Sequence, residues 1–159
     1  GEDHEFIISS VGIDEGNTLK EKLNIAVHCI DFMKKLKKTP KIATLSYARP
    51  GDYGRSEEIN QSLDDAKKLT QLIEKHTNQK IENSCVLIDQ AIKNKCNILI
   101  APNGIVGNTI FRTLVLLNSW PSFGAITFGI DDIYIDTSRD QSREGYLRSL
   151  ELAYKLAKL

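Results

Sequence analysis

The chain has no excess charge of either sign: 21 Lys and Arg residues balance 21 Asp and Glu over 159 residues. General nucleic-acid binders carry a basic excess, so that class is set aside. No apolar run approaches the ~20 residues needed to cross a bilayer. The opening Gly1-Glu2-Asp3-His4-Glu5 is acidic and polar, the opposite of a signal peptide. These absences predict a cytoplasmic protein with neither membrane nor nucleic acid among its partners. Cysteine is scarce: Cys29, Cys85 and Cys96 are widely spaced and form no C-x-x-C pair, and they read as buried structural thiols. His4, His28 and His76 are equally scattered, with no H-x-E or H-E-x-x-H pattern, so no protein metal site is expected. No G-x-G-x-x-G follows a strand and no G-x-x-x-x-G-K-[ST] occurs. The first absence weakens a dinucleotide site and the second removes a P-loop.

What is present is ordinary globular material, 41% hydrophobic and 26% charged, at a length that suits one domain over residues 1–159. Short apolar runs alternate with long amphipathic stretches. Strands are predicted at 5–9, 41–47, 97–101 and 123–129, with briefer ones near 80–85 and 133–135. Helices are predicted from Thr18 to the Thr39-Pro40 stop, from Ser56 to about His76, from about Val86, over 108–117, and from Ser142 to Leu159. Thr18 with Glu21 has capping-box spacing. On the last helix, Tyr146, Leu150, Ala153 and Ala157 align on one face. The lysine run around Leu36 reads as a solvated helix end answering the macrodipole. Repeated strand–helix alternation predicts an α/β domain with a mainly parallel sheet flanked by helices.

Ligands of open α/β sheets bind beyond the carboxyl ends of the strands. Three such ends carry polar, turn-forming residues: Ser46-Tyr47 with the loop to Arg55, the segment Pro102 to Thr109, and Asp136-Thr137-Ser138-Arg139. Gly104 and Gly107 allow a backbone to approach a ligand, and helix N-terminal amides favour anions. Ser138 offers a hydroxyl, and Arg139 a fork suited to phosphate or carboxylate. Simpler readings stand beside these. Both glycines serve as turn geometry, Asn108 or Ser138 as a helix cap, and Arg139 or Arg143 as a surface partner of Asp140 or Glu144.

These loops resemble the phosphate acetyltransferase and butyryltransferase family. The strand Ile98-Leu99-Ile100-Ala101 runs into Pro102-Asn103-Gly104-Ile105-Val106-Gly107-Asn108, similar to the family's P-x-x-x-x-G-N turn. Gly129 to Asp140 is similar to its G-x-x-x-P-v-x-x-x-S-R-G segment, and Leu45-Ser46-Tyr47 to its L-S-Y strand end. The stretch Val11-Gly12-Ile13-Asp14-Glu15-Gly16, together with Ser138-Arg139-Asp140 in place of S-R-G, matches more closely the methanogen Mtx subunit X family of archaea. Members of that family are described as methyltransferase subunits by association.

The resemblance implies the C-terminal part of the phosphate acetyltransferase fold, which is isocitrate/isopropylmalate dehydrogenase-like, within a longer two-domain protein. It implies a transferase domain that binds a small phosphate- or CoA-like anion, with no other cofactor firmly implied. It also implies a homodimer and other subunits of a methyltransferase complex as partners. Ser138 and Arg139 become the catalytic candidates. Ser46, Arg55, Asn103, Gly104, Gly107, Asn108, Thr109 and Arg112 become the ligand-binding ones. The family's second arginine falls on Leu116, one helical turn beyond Arg112, and its acid falls on Gly145, beside Glu144. Those two departures keep a second reading open, in which the chain is a non-catalytic binding or assembly subunit of a methyltransferase complex.

Overall fold

Thr18 opens the first helix as its spacing with Glu21 predicts: the Thr18 hydroxyl accepts from the Glu21 amide, and the Glu21 carboxylate accepts from the Thr18 amide. The reciprocal cap satisfies two amides that the first turn of any helix leaves orphaned. The computed structural model describes residues 4–159, so the first three residues of the acidic N-terminal stretch lie outside the described residues.

In chain order the elements are β1 (Ile7–Ser9), α1 (Leu19–Lys35), β2 (Ile42–Leu45), a 3-10 turn (Pro50–Asp52), α2 (Glu57–Thr77), β3 (Glu82–Cys85), α3 (Ile88–Lys93), β4 (Ile98–Ile100) and α4 (Gly104–Arg112). A π-helical turn (Thr113–Leu117), β5 (Ala125–Ile126), β6 (Ile135–Asp136) and α5 (Arg143–Leu156) complete the chain. Contacts cluster in two compact units, one up to Asn108 and one from Thr109 to Leu159.

The first unit holds a four-stranded sheet in the order β1-β4-β2-β3, with every pair parallel. The expected α/β fold with a mainly parallel sheet flanked by helices is what the structure has. All four residues of β2 and all three of β4 are buried, as both faces of inner parallel strands must be. Ile98, Leu99 and Ile100 are at most 1% exposed and form the centre of the core with Ile42, Ile73 and Leu69. Helices α1 and α2 pack on each other and on the sheet. The buried hydroxyls of Thr44 on β2 and Thr70 on α2 bond at 2.7 Å, and Thr70 donates on to the Ala66 carbonyl. That leaves neither hydroxyl orphaned in the core. Helix α1 ends at Lys35, before the predicted stop, because Lys37 turns left-handed at φ 58°.

Lys22 is a buried cation between α1 and α2, 3.8 Å from the Asp65 carboxylate. Burial pushes its amine below the ordinary lysine range, and Asp65 opposes that push. Asp65→Asn is expected to cost about 1 kcal/mol, because it leaves a buried charge unpaired. A second change, Lys22→Met, is expected to recover most of that loss. Urea denaturation of the two single variants and the double variant measures the coupling, and additive losses would remove the pair from the α1–α2 interface.

The second unit is built on a smaller scale. β5 and β6 pair antiparallel, Ala125 with Asp136 and Ile126 with Ile135. The strand predicted over 123–129 is only two residues long, because Gly124 and Gly129 take φ of 87° and 83° and end the extended run on either side. Ser142 caps α5 by accepting from the Gly145 amide. The buried residues of α5 are Gly145, Ser149 and Leu156. Tyr146 and Leu150, which the sequence pattern aligns on one face, are 47% and 66% exposed. No helix among the described residues is long and apolar enough to cross a membrane.

Candidate functional site

In the first unit the carboxyl ends of β2 and β4 meet at one corner. The Asn103 amide donates to the Tyr47 hydroxyl at 2.6 Å, and the Tyr47 amide donates to the Ser62 hydroxyl on α2 at 3.0 Å. Burial, then Glu58 and Asp65, raise the Tyr47 phenol above its ordinary range, so it stays protonated near neutrality. The sequence placed Tyr47 in one of the three candidate strand ends, beside Ser46, while the resemblance put only Ser46 of that pair among the ligand-binding residues. Ser46 itself is buried, and its hydroxyl donates to the Ala48 carbonyl at 2.9 Å. Arg55 lies on an exposed turn, where its Nε pairs with Asp52 at 2.9 Å.

Helix α4 starts four residues earlier than the sequence pattern predicts. Asn103 is the reason: its side-chain oxygen accepts from the Val106 amide and its carbonyl from the Gly107 amide. Gly104 and Gly107 are therefore helical and not part of an open turn. Both are buried beneath the segment 10–16. A Cβ on Gly104 would overlap the Gly12 carbonyl oxygen, and one on Gly107 would overlap the Ser10 carbonyl oxygen. The Gly104 amide donates to the Glu15 carbonyl at 2.9 Å. Asn108 lies within the helix and donates its side-chain amide to the Val11 carbonyl at 3.0 Å. The close approach these residues permit is thus occupied by the chain itself.

In the second unit, Ser138 organises a tight turn ahead of α5. Its hydroxyl accepts from the Asp140 amide at 3.3 Å, and its carbonyl accepts from the Gln141 amide at 3.0 Å. The Tyr146 hydroxyl also donates to that carbonyl, at 3.4 Å. This turn presents Arg139 on the surface, and among the described residues its guanidinium has no hydrogen bond or ion pair. Arg112, at the end of α4, faces the Asp140 carboxylate at 3.6 Å with both side chains more than half exposed. Thr109 is exposed one turn before it. A free guanidinium on a hydrogen-bonded turn can take an anionic oxygen without first breaking a bond.

Two of the three thiols offer no competing nucleophile, and the third is buried. Cys29, Cys85 and Cys96 are free and buried, and burial pushes Cys29 up to about 12 and Cys96 up to about 11. A thiol held that high is protonated and inert near neutrality.

No family model matches the chain. Individual proteins do. It is 37% identical over 135 residues to the "Putative methyltransferase mtx subunit X" of Methanosarcina mazei, covering 84% of this chain and 47% of that protein. It is 32% identical over 152 residues to an uncharacterized methyltransferase of Methanocaldococcus jannaschii, covering 92% of this chain and 62% of that protein. The resemblance to the Mtx subunit X family holds. The chain spans about half the length of the first Mtx subunit X relatives it matches, 47% to 49% of each. Solved structures agree on the fold. The EutD phosphotransacetylase of Staphylococcus aureus matches all of this chain and 52% of its own, at a TM-score of 0.71 and 20% identity. A branched-chain phosphotransacylase of Enterococcus faecalis matches 95% of this chain and 58% of its own, at 0.73 and 22%. The subunit X relatives thus share this chain's sequence, and the phosphotransacylase structures its fold.

Proposed function

We propose that this chain is a transferase domain of the phosphotransacylase type, of the Mtx subunit X branch, that binds a phosphate- or CoA-like anion at the carboxyl ends of its strands. The observation that carries the reading is Arg139, an exposed guanidinium without a partner among the described residues, on a turn that Ser138 fixes with three hydrogen bonds. In this reading Arg139 receives the anion, Ser138 holds the turn, and Arg112 becomes available if Asp140 releases it. The test is thiol release from acetyl-CoA by the full-length protein, with and without inorganic phosphate. Saturable release that depends on phosphate is the expected result, and no release from folded protein would overturn acyl transfer.

A second reading has its own observation. Gly145, where the resembled family has an acid, is buried in α5, and a Cβ there would overlap the Gln141 side chain. Gln141 fills the space a thiol-activating carboxylate would need. That supports a binding or assembly subunit of a methyltransferase complex, one that keeps the anion site and has lost turnover.

We further propose a homodimer. Tyr146, Leu150 and Tyr154 recur at helical spacing and give α5 an exposed apolar face, the kind of surface a second copy buries. Sedimentation is expected to find a dimer that Leu150→Asp converts to monomer, and a monomeric wild type would remove the proposal.

A further inference from the structure

Among the described residues, one buried side-chain oxygen lacks a hydrogen-bond partner: Oγ of Ser10, a residue only 2% exposed. A buried hydroxyl without a partner is costly, and native structures keep such groups for a reason. Ser10 follows β1 directly, at a carboxyl end of the parallel sheet, beside the first turn of α4. Its carbonyl oxygen lies against Gly107. Its hydroxyl lies against Gly16, and a Cβ built on Gly16 would overlap Oγ and stand 3.8 Å from the Cα of Asn103. Gly16 is thus wedged between the orphaned hydroxyl and the N-cap of α4.

The segment from Val11 to Gly16 acts as a strap across that turn. The Gly12 carbonyl rests on Gly104, and the Glu15 carbonyl accepts the Gly104 amide. The Glu15 carboxylate folds back against Gly12. Protein oxygens therefore occupy the place where a helix N-terminus takes an anion. The strap is fastened lightly. Besides the Gly104 bond it is held by the Asn108 amide on the Val11 carbonyl, at 3.0 Å, by the local Asn17 amide on the Asp14 carbonyl, and within itself by the Glu15 amide on the Gly12 carbonyl, at 3.0 Å. Ile13, Asp14 and Glu15 are all exposed.

We propose that Ser10 Oγ and the first turn of α4 form an oxyanion subsite of the phosphate class, closed here by the Val11–Gly16 strap and opened when an anion displaces it. The subsite rests on the anion-binding reading above and lies wholly within the first unit. On opening, the Gly104 amide and the Ser10 hydroxyl both donate to the incoming oxygen. The hydroxyl then gains the partner it lacks. The closed strap lowers apparent affinity by the fraction of time it is shut.

Titration of the full chain with inorganic phosphate tests this, followed by calorimetry or amide chemical shifts. Ser10→Ala is expected to weaken binding about tenfold, the loss of one hydrogen bond to a charged group, without lowering the thermal midpoint. Gly16→Ala places a methyl group on Ser10 Oγ and a side chain at φ +68°. It favours the open strap and is expected to tighten binding about fivefold. Opposite signs from adjacent residues are not what a merely structural role produces. If Gly16→Ala fails to fold, Ser10→Ala decides. Unchanged phosphate affinity in Ser10→Ala, with Arg139→Ala weakened, overturns the subsite and leaves the anion reading standing. Wild-type protein that binds no phosphate overturns the anion reading and the subsite with it.

Discussion

Gly107→Ala is expected to destabilise the first unit by about 3 kcal/mol, although alanine is the better helix former by about 1 kcal/mol. Position 107 lies within α4, where propensity alone predicts a gain. The added Cβ would overlap the Ser10 carbonyl oxygen and sit 2.9 Å from its carbon and 3.3 Å from the Cβ of Ala101. Two of those atoms are backbone at the end of β1, so no side-chain rotation relieves the overlap. The segment 10–16 must lift, or α4 must move away from the sheet. Gly51→Ala is the internal control: nothing lies within 4 Å of its Cβ and its φ is not positive, so it should fall within about 0.5 kcal/mol of wild type. Thermal denaturation separates the two, since about 3 kcal/mol in a chain of this size lowers the midpoint by roughly 10 °C. A Gly107→Ala midpoint equal to that of Gly51→Ala would mean that the strap does not bear on α4 as described.

That same contact explains what the sequence concealed. Capping and periodicity are local, and where they govern, the pattern was legible: Thr18 and Glu21 for α1, Ser56 for α2 and Ser142 for α5 all cap the helices they precede. The run Ile98 to Ile100, apolar on every residue, announced a buried parallel strand and is one. Helix α4 was misjudged because Gly104 and Gly107 read as turn formers. Their reason for being glycine is backbone far upstream, at Gly12 and Ser10, which no window along the chain can see. The residue types at Ser138 and Arg139 were legible, while the bond state that leaves one guanidinium free among the described residues and engages that of Arg112 with Asp140 exists only in three dimensions. The α5 face was legible as an alignment only. Its spacing correctly gave a helical stripe, but a stripe does not say what covers it. The small Gly145 and Ser149 face inward instead, and the tyrosines face out. Ser10 carried no sequence signal at all, being one serine of a pair at a strand end.

Arg139→Ala is expected to lower the phosphate-dependent release of thiol by about 10²–10³-fold, while Arg112→Ala lowers it less than about fivefold. Both arginines are exposed and both lie in the second unit, so bulk charge does not distinguish them. Their commitments do. The Arg112 guanidinium lies 3.6 Å from Asp140, and using it for a ligand means giving up that pair, whereas among the described residues Arg139 has no pair to give up. Arg139 is also better placed, because three hydrogen bonds to Ser138 fix its turn and a positioned cation loses less freedom on meeting an anion. Arg139→Lys keeps the charge but not the planar fork, and should recover only part of the activity if the bound group is held by two oxygens. Substituting Ser138 is less informative, since its hydroxyl also holds the Asp140 amide and its loss loosens the turn that carries Arg139. The comparison turns on kcat/KM for the two alanine variants measured side by side at saturating phosphate. Equal losses would make the two arginines one cluster, and a greater loss in Arg112→Ala would transfer the anion-binding role to Arg112, with Asp140 as the gate that releases it.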